Sequence, residues 1–174
     1  MKKILLFLTF SLAIMALMPS KTGAQTRKES RILYHSQYNY EIEPLGVGQD
    51  GTKVFKVWGV GKDVPEAIMK AKADAIAACI FKGLTGGAGS APTPPILSEP
   101  NAEVTYSAYF EKFFETGGKY LQYIAVTTDG DPAGQDRLKL KRGYKVAINV
   151  QVMYDALRKQ LEADNIARRL DKGF

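Results

Sequence analysis

From Ile32 onward, hydrophobic and polar positions alternate, with Tyr34, Tyr38, Tyr40 and Ile42 on one parity and polar residues mostly between them. That two-residue period predicts a half-buried strand, which Pro44 stops. The Gly-rich run 46–51 reads as a turn, and Val54 to Val60 as a second strand rich in β-branched and aromatic residues, so the two form a hairpin. The period then changes. Val64, Ile68, Ala71, Ala75, Ala78 and Cys79 recur at 3–4 spacing, the stripe of an amphipathic helix. Asp63 can cap its first amides, Pro65 needs no amide partner there, and Glu66 stands at the capping-box position. Glu66, Lys70 and Asp74 form an i,i+4 ladder expected on the solvent side, and Gly83 ends the helix.

Leu84 to Pro100 holds four prolines and three glycines and reads as a long, mobile loop. Asn101 can cap a second helix whose Tyr106, Tyr109, Phe110, Phe113 and Phe114 share a broad face, ended by Gly117-Gly118. A third strand is expected over Tyr120–Thr128, a turn over Asp129–Asp136, and a fourth strand over Leu138–Met153. In that strand Tyr144, Val146, Ile148, Val150 and Val152 make one apolar face. A last helix begins at Tyr154-Asp155 and carries Leu157, Leu161, Ile166, Ala167 and Leu170. The order β-β-α-α-β-β-α predicts an α+β two-layer sandwich, a four-stranded antiparallel sheet with helices on one face.

The N-terminus has a different pattern. Met1-Lys2-Lys3 precedes fifteen uncharged residues from Ile4 to Met18, and small residues at Thr22 and Ala24 flank an expected cleavage before Gln25. This is the anatomy of a secretory signal peptide, and the apolar run is shorter than the roughly 20 residues of a membrane span. The expected organisation is a cleaved signal peptide at 1–24 and a single α+β domain at 25–174, exported, with no transmembrane span in the mature chain. Cleavage changes the charge balance. The chain has 24 Lys+Arg against 18 Asp+Glu, but Lys2, Lys3 and Lys21 leave with the signal peptide, and +6 becomes +3. The basic bias is then local.

That local bias is the strip Arg137, Lys139, Lys141, Arg142 and Lys145, in which Leu138 and Leu140 alternate with the first three. It is the candidate site for an acidic protein partner, an anionic lipid headgroup or a polysaccharide. The competing reading is a solvated strand face whose lysines guard an edge. No aromatic residues interleave as a nucleic-acid platform requires. A second candidate, for a wall or surface glycan, is the aromatic set Tyr106, Tyr109 and Phe113, although aromatics at helical spacing are more often core.

Other motifs carry less. Gly46-Val47-Gly48-Gln49-Asp50-Gly51 spells G-x-G-x-x-G, but a strand follows where the dinucleotide fingerprint needs a helix. Gly61-Lys62 lacks the upstream glycine of a phosphate loop, and Asp63 stands where Ser or Thr belongs. Asp129, Asp131 and Asp136 fit a calcium loop poorly, because Ala133 and Leu140 occupy ligand positions. One Cys and one His exclude a disulfide framework and a Cys/His zinc site. Cys79 falls in the alanine stripe, and His35 has no triad partner placed beside it by sequence. No catalytic, cofactor or metal residues are expected.

Val57-Trp58-Gly59-Val60-Gly61, followed by Pro65-Glu66-Ala67 and Ala71, Ala73 and Ala75, resembles a recurring envelope-domain signature in which a strand ends in a glycine step and enters an Ala-rich helix. Gly143 to Val150, with Ala156-Leu157 and Gln160-Leu161-Glu162, resembles the closing strand and helix of the same domain. Together these segments are similar to the small outer-membrane lipoprotein family and to the N-terminal domain of the flagellar assembly protein T. The resemblance implies an exported, non-enzymatic domain, periplasmic or outer-membrane associated, that helps build or brace an envelope structure through contacts with another envelope protein. Those families have no catalytic residues to carry over. No cysteine precedes position 79, so N-terminal lipidation is not expected.

Overall fold

The computed structural model describes residues 40–49 and 51–169. The expected signal peptide, His35, Tyr34, Tyr38, Asp50 and Leu170 lie outside them. The chain mixes helix and strand in an α+β fold, and all strand pairs are antiparallel. Its elements are β1 (Ile42–Val47), β2 (Lys53–Gly61), α1 (Val64–Ala77), α2 (Ala102–Thr105), α3 (Ser107–Phe113), β3 (Ile124–Val126), β4 (Arg137–Leu140), β5 (Gly143–Val152) and α4 (Tyr154–Ala163). Among the described residues the sheet has five strands, running β1-β2-β5-β3, with β4 also paired to β5.

β2 and β5 form the spine, in register from Lys53 opposite Val152 to Gly61 opposite Tyr144. Because side chains alternate across a strand, one face collects Phe55, Val57, Val146, Ile148, Val150 and Val152, all buried. Each such aliphatic side chain stabilises the fold by about 1.5–3 kcal/mol. α1 lies on this face, and two glycines let it approach. A Cβ on Gly59 would run into the carbonyl of Ala67 and the amide of Ala71, and one on Gly61 into the amide of Ala67. Small residues on both sides thus bring helix and strand backbones into contact.

The start of α1 forms as expected. Asp63 Oδ1 accepts from the Glu66 amide at 2.8 Å, and Glu66 Oε2 accepts from the Lys62 amide at 2.9 Å. The expected solvent face of α1 does not hold. All residues from Ala73 to Ile80 are buried, including Asp74, whose carboxylate pairs with Lys70 at 2.6 Å. Alanines at Ala73 and Ala77 are as compatible with a buried second face as with a solvated one, and here packing covers both. The helix ends in a wider turn, Ala78–Lys82, closed by the Gly83 amide on the Ala78 carbonyl at 2.7 Å.

Four further expectations change. Pro44 does not stop the first strand: it stands within β1, an edge strand, where an absent N–H is tolerated, and the register shifts between Pro44 and Gly46. The single fourth strand is a hairpin, β4 and β5, folded at Lys141-Arg142 with Gly143 at φ +116°, so the sheet has five strands and not four. The aromatic helix is two short helices broken at Tyr106. Asn101 makes no side-chain cap and adopts φ +59°. The third strand is shortened to β3, because Lys119–Tyr123 coils into a tight helical turn that buries Tyr120 and Tyr123.

The segment 84–100, expected to be a mobile loop, makes defined contacts. Leu84 and Thr93 exchange backbone hydrogen bonds at 2.8 and 2.9 Å, and Gly87 and Ser90 do the same at 3.0 and 2.8 Å, giving a small hairpin. The Ile96 and Leu97 amides donate to the carbonyls of Cys79 and Ile80, and both side chains are buried. Tyr154 donates its hydroxyl to the Pro94 carbonyl at 2.8 Å. Apolar Ile96-Leu97 anchors what its prolines and glycines mark as irregular.

Candidate functional site

β4 is short, and all four of its residues are exposed. Its pairing to β5 puts Arg137 opposite Val146, Leu138 opposite Lys145, Lys139 opposite Tyr144 and Leu140 opposite Gly143. Residues directly opposite share a face, so Arg137 and Lys139 stand on the helix-bearing side of the sheet. The Arg137 guanidinium confirms this by lying 5.0 Å from the centre of the Tyr144 ring. Leu138 and Leu140 stand on the opposite, open side, 45% and 39% exposed. Lys141 and Arg142 are exposed at the hairpin tip.

The five strip residues are therefore not all brought together. Arg137, Lys139, Lys141 and Arg142 run along one edge and its tip. Lys145, on the returning strand, faces the open side. There its Nζ lies 2.5 Å from Glu41 and 5.0 Å from the centre of the Trp58 ring. With its charge matched and its stem over an aromatic face, Lys145 belongs to the sheet's own packing. Among the described residues no ion pair engages Lys139, Lys141 or Arg142.

The open side holds residues the strip reading did not include. β2 brings Trp58 and the 52%-exposed Val60 onto the face shared by Lys145, Leu138 and Leu140. The signal was present in the alternation Arg-Leu-Lys-Leu, but only the hairpin register shows that on this face Lys145 stands between Val60 and Leu138. Further along, Lys56 holds Asp136 at 3.0 Å, which ties one carboxylate of the supposed calcium loop to β2. No group of three or more potential metal ligands occurs among the described residues.

The aromatic candidates separate as well. Phe113 is 2% exposed and lies between Tyr109 and Tyr123, its ring stacked on both at 5.7 and 6.3 Å between centroids. It has no ring face to offer a sugar, so its place in the glycan set is corrected to core. Tyr106 and Tyr109 are half-buried. Tyr109 donates its hydroxyl to Asp164 Oδ2 at 2.7 Å, and Gln160 donates to the same oxygen at 2.9 Å. Burial, with Asp164 beside it, holds the Tyr109 phenol above its usual range. The hydrogen bonds from Gln160 and Tyr109 hold Asp164 below the usual carboxylate range. This cluster ties α3 to the end of α4.

Cys79 is wholly buried, and burial pushes its thiol up to about 12, so it is a neutral apolar residue at physiological pH. The Gly59-to-Lys62 step does precede a helix, but the Asp63 carboxylate takes the Glu66 amide of α1 and the Glu66 carboxylate takes the Lys62 amide just before it, which leaves negative charge where an anion would sit. No helix among the described residues is long and apolar enough to cross a membrane. Compared with protein-family models, curated proteins and solved structures, the chain matches none of them.

Proposed function

We propose that this chain is an exported structural or assembly component of the cell envelope, periplasmic or outer-membrane associated, that works by holding another envelope protein. The observation that carries the reading is β4, an exposed edge strand in which Arg137 and Lys139 alternate with Leu138 and Leu140. Cations on one side and leucines on the other equip one short strand for two kinds of contact, as protein-binding surfaces do. The signal-like start and the resemblance to envelope domains supply the compartment. An anionic headgroup or polysaccharide would engage only the cationic half of the strand.

The test is photo-crosslinking in intact cells, with the reactive side chain placed at Leu138 and, as a control, at the 70%-exposed Val104 on α2. The expected result is one defined envelope-protein adduct from Leu138 that is absent from Val104. Recovery of the same broad set of proteins from both positions, or of none from Leu138, overturns the reading.

A further inference from the structure

Among the described residues the sheet ends at β1 on one side and at β3 and β4, both paired to β5, on the other, and the two sides differ in construction. At β1 the edge is interrupted by Pro44 and by the register shift before Gly46. The small hairpin of the 84–93 segment flanks it, with Gly87 so near that a Cβ there would sit 3.4 Å from the Pro44 ring. These are the devices by which proteins prevent strands from adding to a sheet. At β4 there is no proline and no register shift, and among the described residues only β5 pairs with it. Every second residue of such a strand turns its N–H and C=O away from the sheet, ready for another strand.

We propose that β4 accepts an extended acidic segment of a partner protein as a further strand of the sheet. The occupant follows from charge and register. A strand beside β4 places its side chains alternately above and below, opposite those of β4. One parity meets Arg137 and Lys139 and requires Asp or Glu. The other meets Leu138 and Leu140 and requires apolar residues. A second copy of β4 is a poor occupant, because Arg137, Lys139, Lys141 and Arg142 would face their own kind. The partner motif is thus a short alternation of acidic and apolar residues with a free backbone edge, held by strand addition.

This inference rests on the assembly reading, and the two can fail separately. The probe is a synthetic seven-residue peptide alternating Glu and Val, titrated at low salt into the isotope-labelled chain without its first 24 residues. Saturable shifts in the amides of residues 137–142 are expected. Affinity should fall at least tenfold for a peptide of the same composition with its glutamates in one block, and for one with an N-methylated backbone. The double variant Arg137→Glu, Lys139→Glu should lose the peptide equally, while an alternating Lys and Val peptide binds that variant instead. Equal binding of the blocked or N-methylated peptide overturns strand addition and leaves plain charge attraction. Absence of saturable binding overturns the inference outright. If the peptide fails while Leu138 still crosslinks one envelope protein, strand addition falls and the assembly reading stands. Binding of anionic phosphatidylglycerol vesicles in preference to the peptide assigns the strip to lipid and overturns the proposal.

Discussion

Gly59 of β2 lies directly against the backbone of Ala67 in α1, so close that any Cβ on the glycine would overlap the alanine's carbonyl oxygen. The contact fixes the distance between the sheet and its central helix. Gly59→Ala should therefore destabilise the fold by about 2–3 kcal/mol, since backbone on both sides must shift. Gly87→Ala, where the added methyl meets Pro44 at ordinary van der Waals distance, should change stability by less than about 0.5 kcal/mol. Urea unfolding of the two variants checks the contrast.

Cys79 provides a probe of global opening. With its thiol pushed up to about 12 by burial, it carries almost no thiolate at pH 8 and has no path to reagent. Labelling by a water-soluble disulfide reagent should proceed only as fast as the whole domain unfolds, and should become complete within minutes in concentrated urea. Rapid labelling of the native chain would show that the alanine-rich helix opens locally.

The Tyr109–Asp164 contact gives stability a defined pH dependence. Asp164 is held below its ordinary value of 3.8, so its contribution is present above that value and fades as pH falls through the lowered one. Tyr109 is held above its ordinary value of 10.0, so its contribution is whole below pH 10 and is lost as alkali ionises the unfolded chain first. Tyr109→Phe should cost about 1 kcal/mol at pH 7, discounted for the partial exposure of the pair. That cost should shrink at both extremes of pH, as thermal unfolding across pH 2.5–11 would show.

Hydrogen exchange separates the two halves of the 84–100 segment. The Ile96 and Leu97 amides, bonded at 3.1 and 2.9 Å to the end of the central helix and attached to buried side chains, should exchange as slowly as β5. Ala88 and Gly89, at the exposed tip of the small hairpin, should exchange within seconds. Uniformly fast exchange from 84 to 100 would restore the reading of the segment as mobile.

Features decided by a few adjacent residues were legible in the sequence. Asp63, Pro65 and Glu66 determine the start of α1 among themselves, and the buried parity of Val146, Ile148, Val150 and Val152 follows from a period of two. Features decided by distant neighbours were not. Lys70 and Asp74 read as a solvated ladder because their charges are visible and the packing that covers them is not. The turn between β4 and β5 has Lys141-Arg142 at its tip, without Asn, Asp or Pro, and depends on the positive φ of Gly143. Without that turn the two strands read as one and Lys145 continues the strip, whereas in the structure it lies on the opposite side, paired with Glu41. Of the candidate site, the cationic residues were found and their separation onto two faces was not.

The interrupted edge at β1 bears on stoichiometry. A sheet that accepts strands on both sides can stack copy upon copy into fibres, whereas this one is blunted on its β1 side by Pro44 and the neighbouring hairpin. A strand captured at β4 leaves the blunted β1 side as it was. Copies of such a complex therefore cannot stack onto one another through that side.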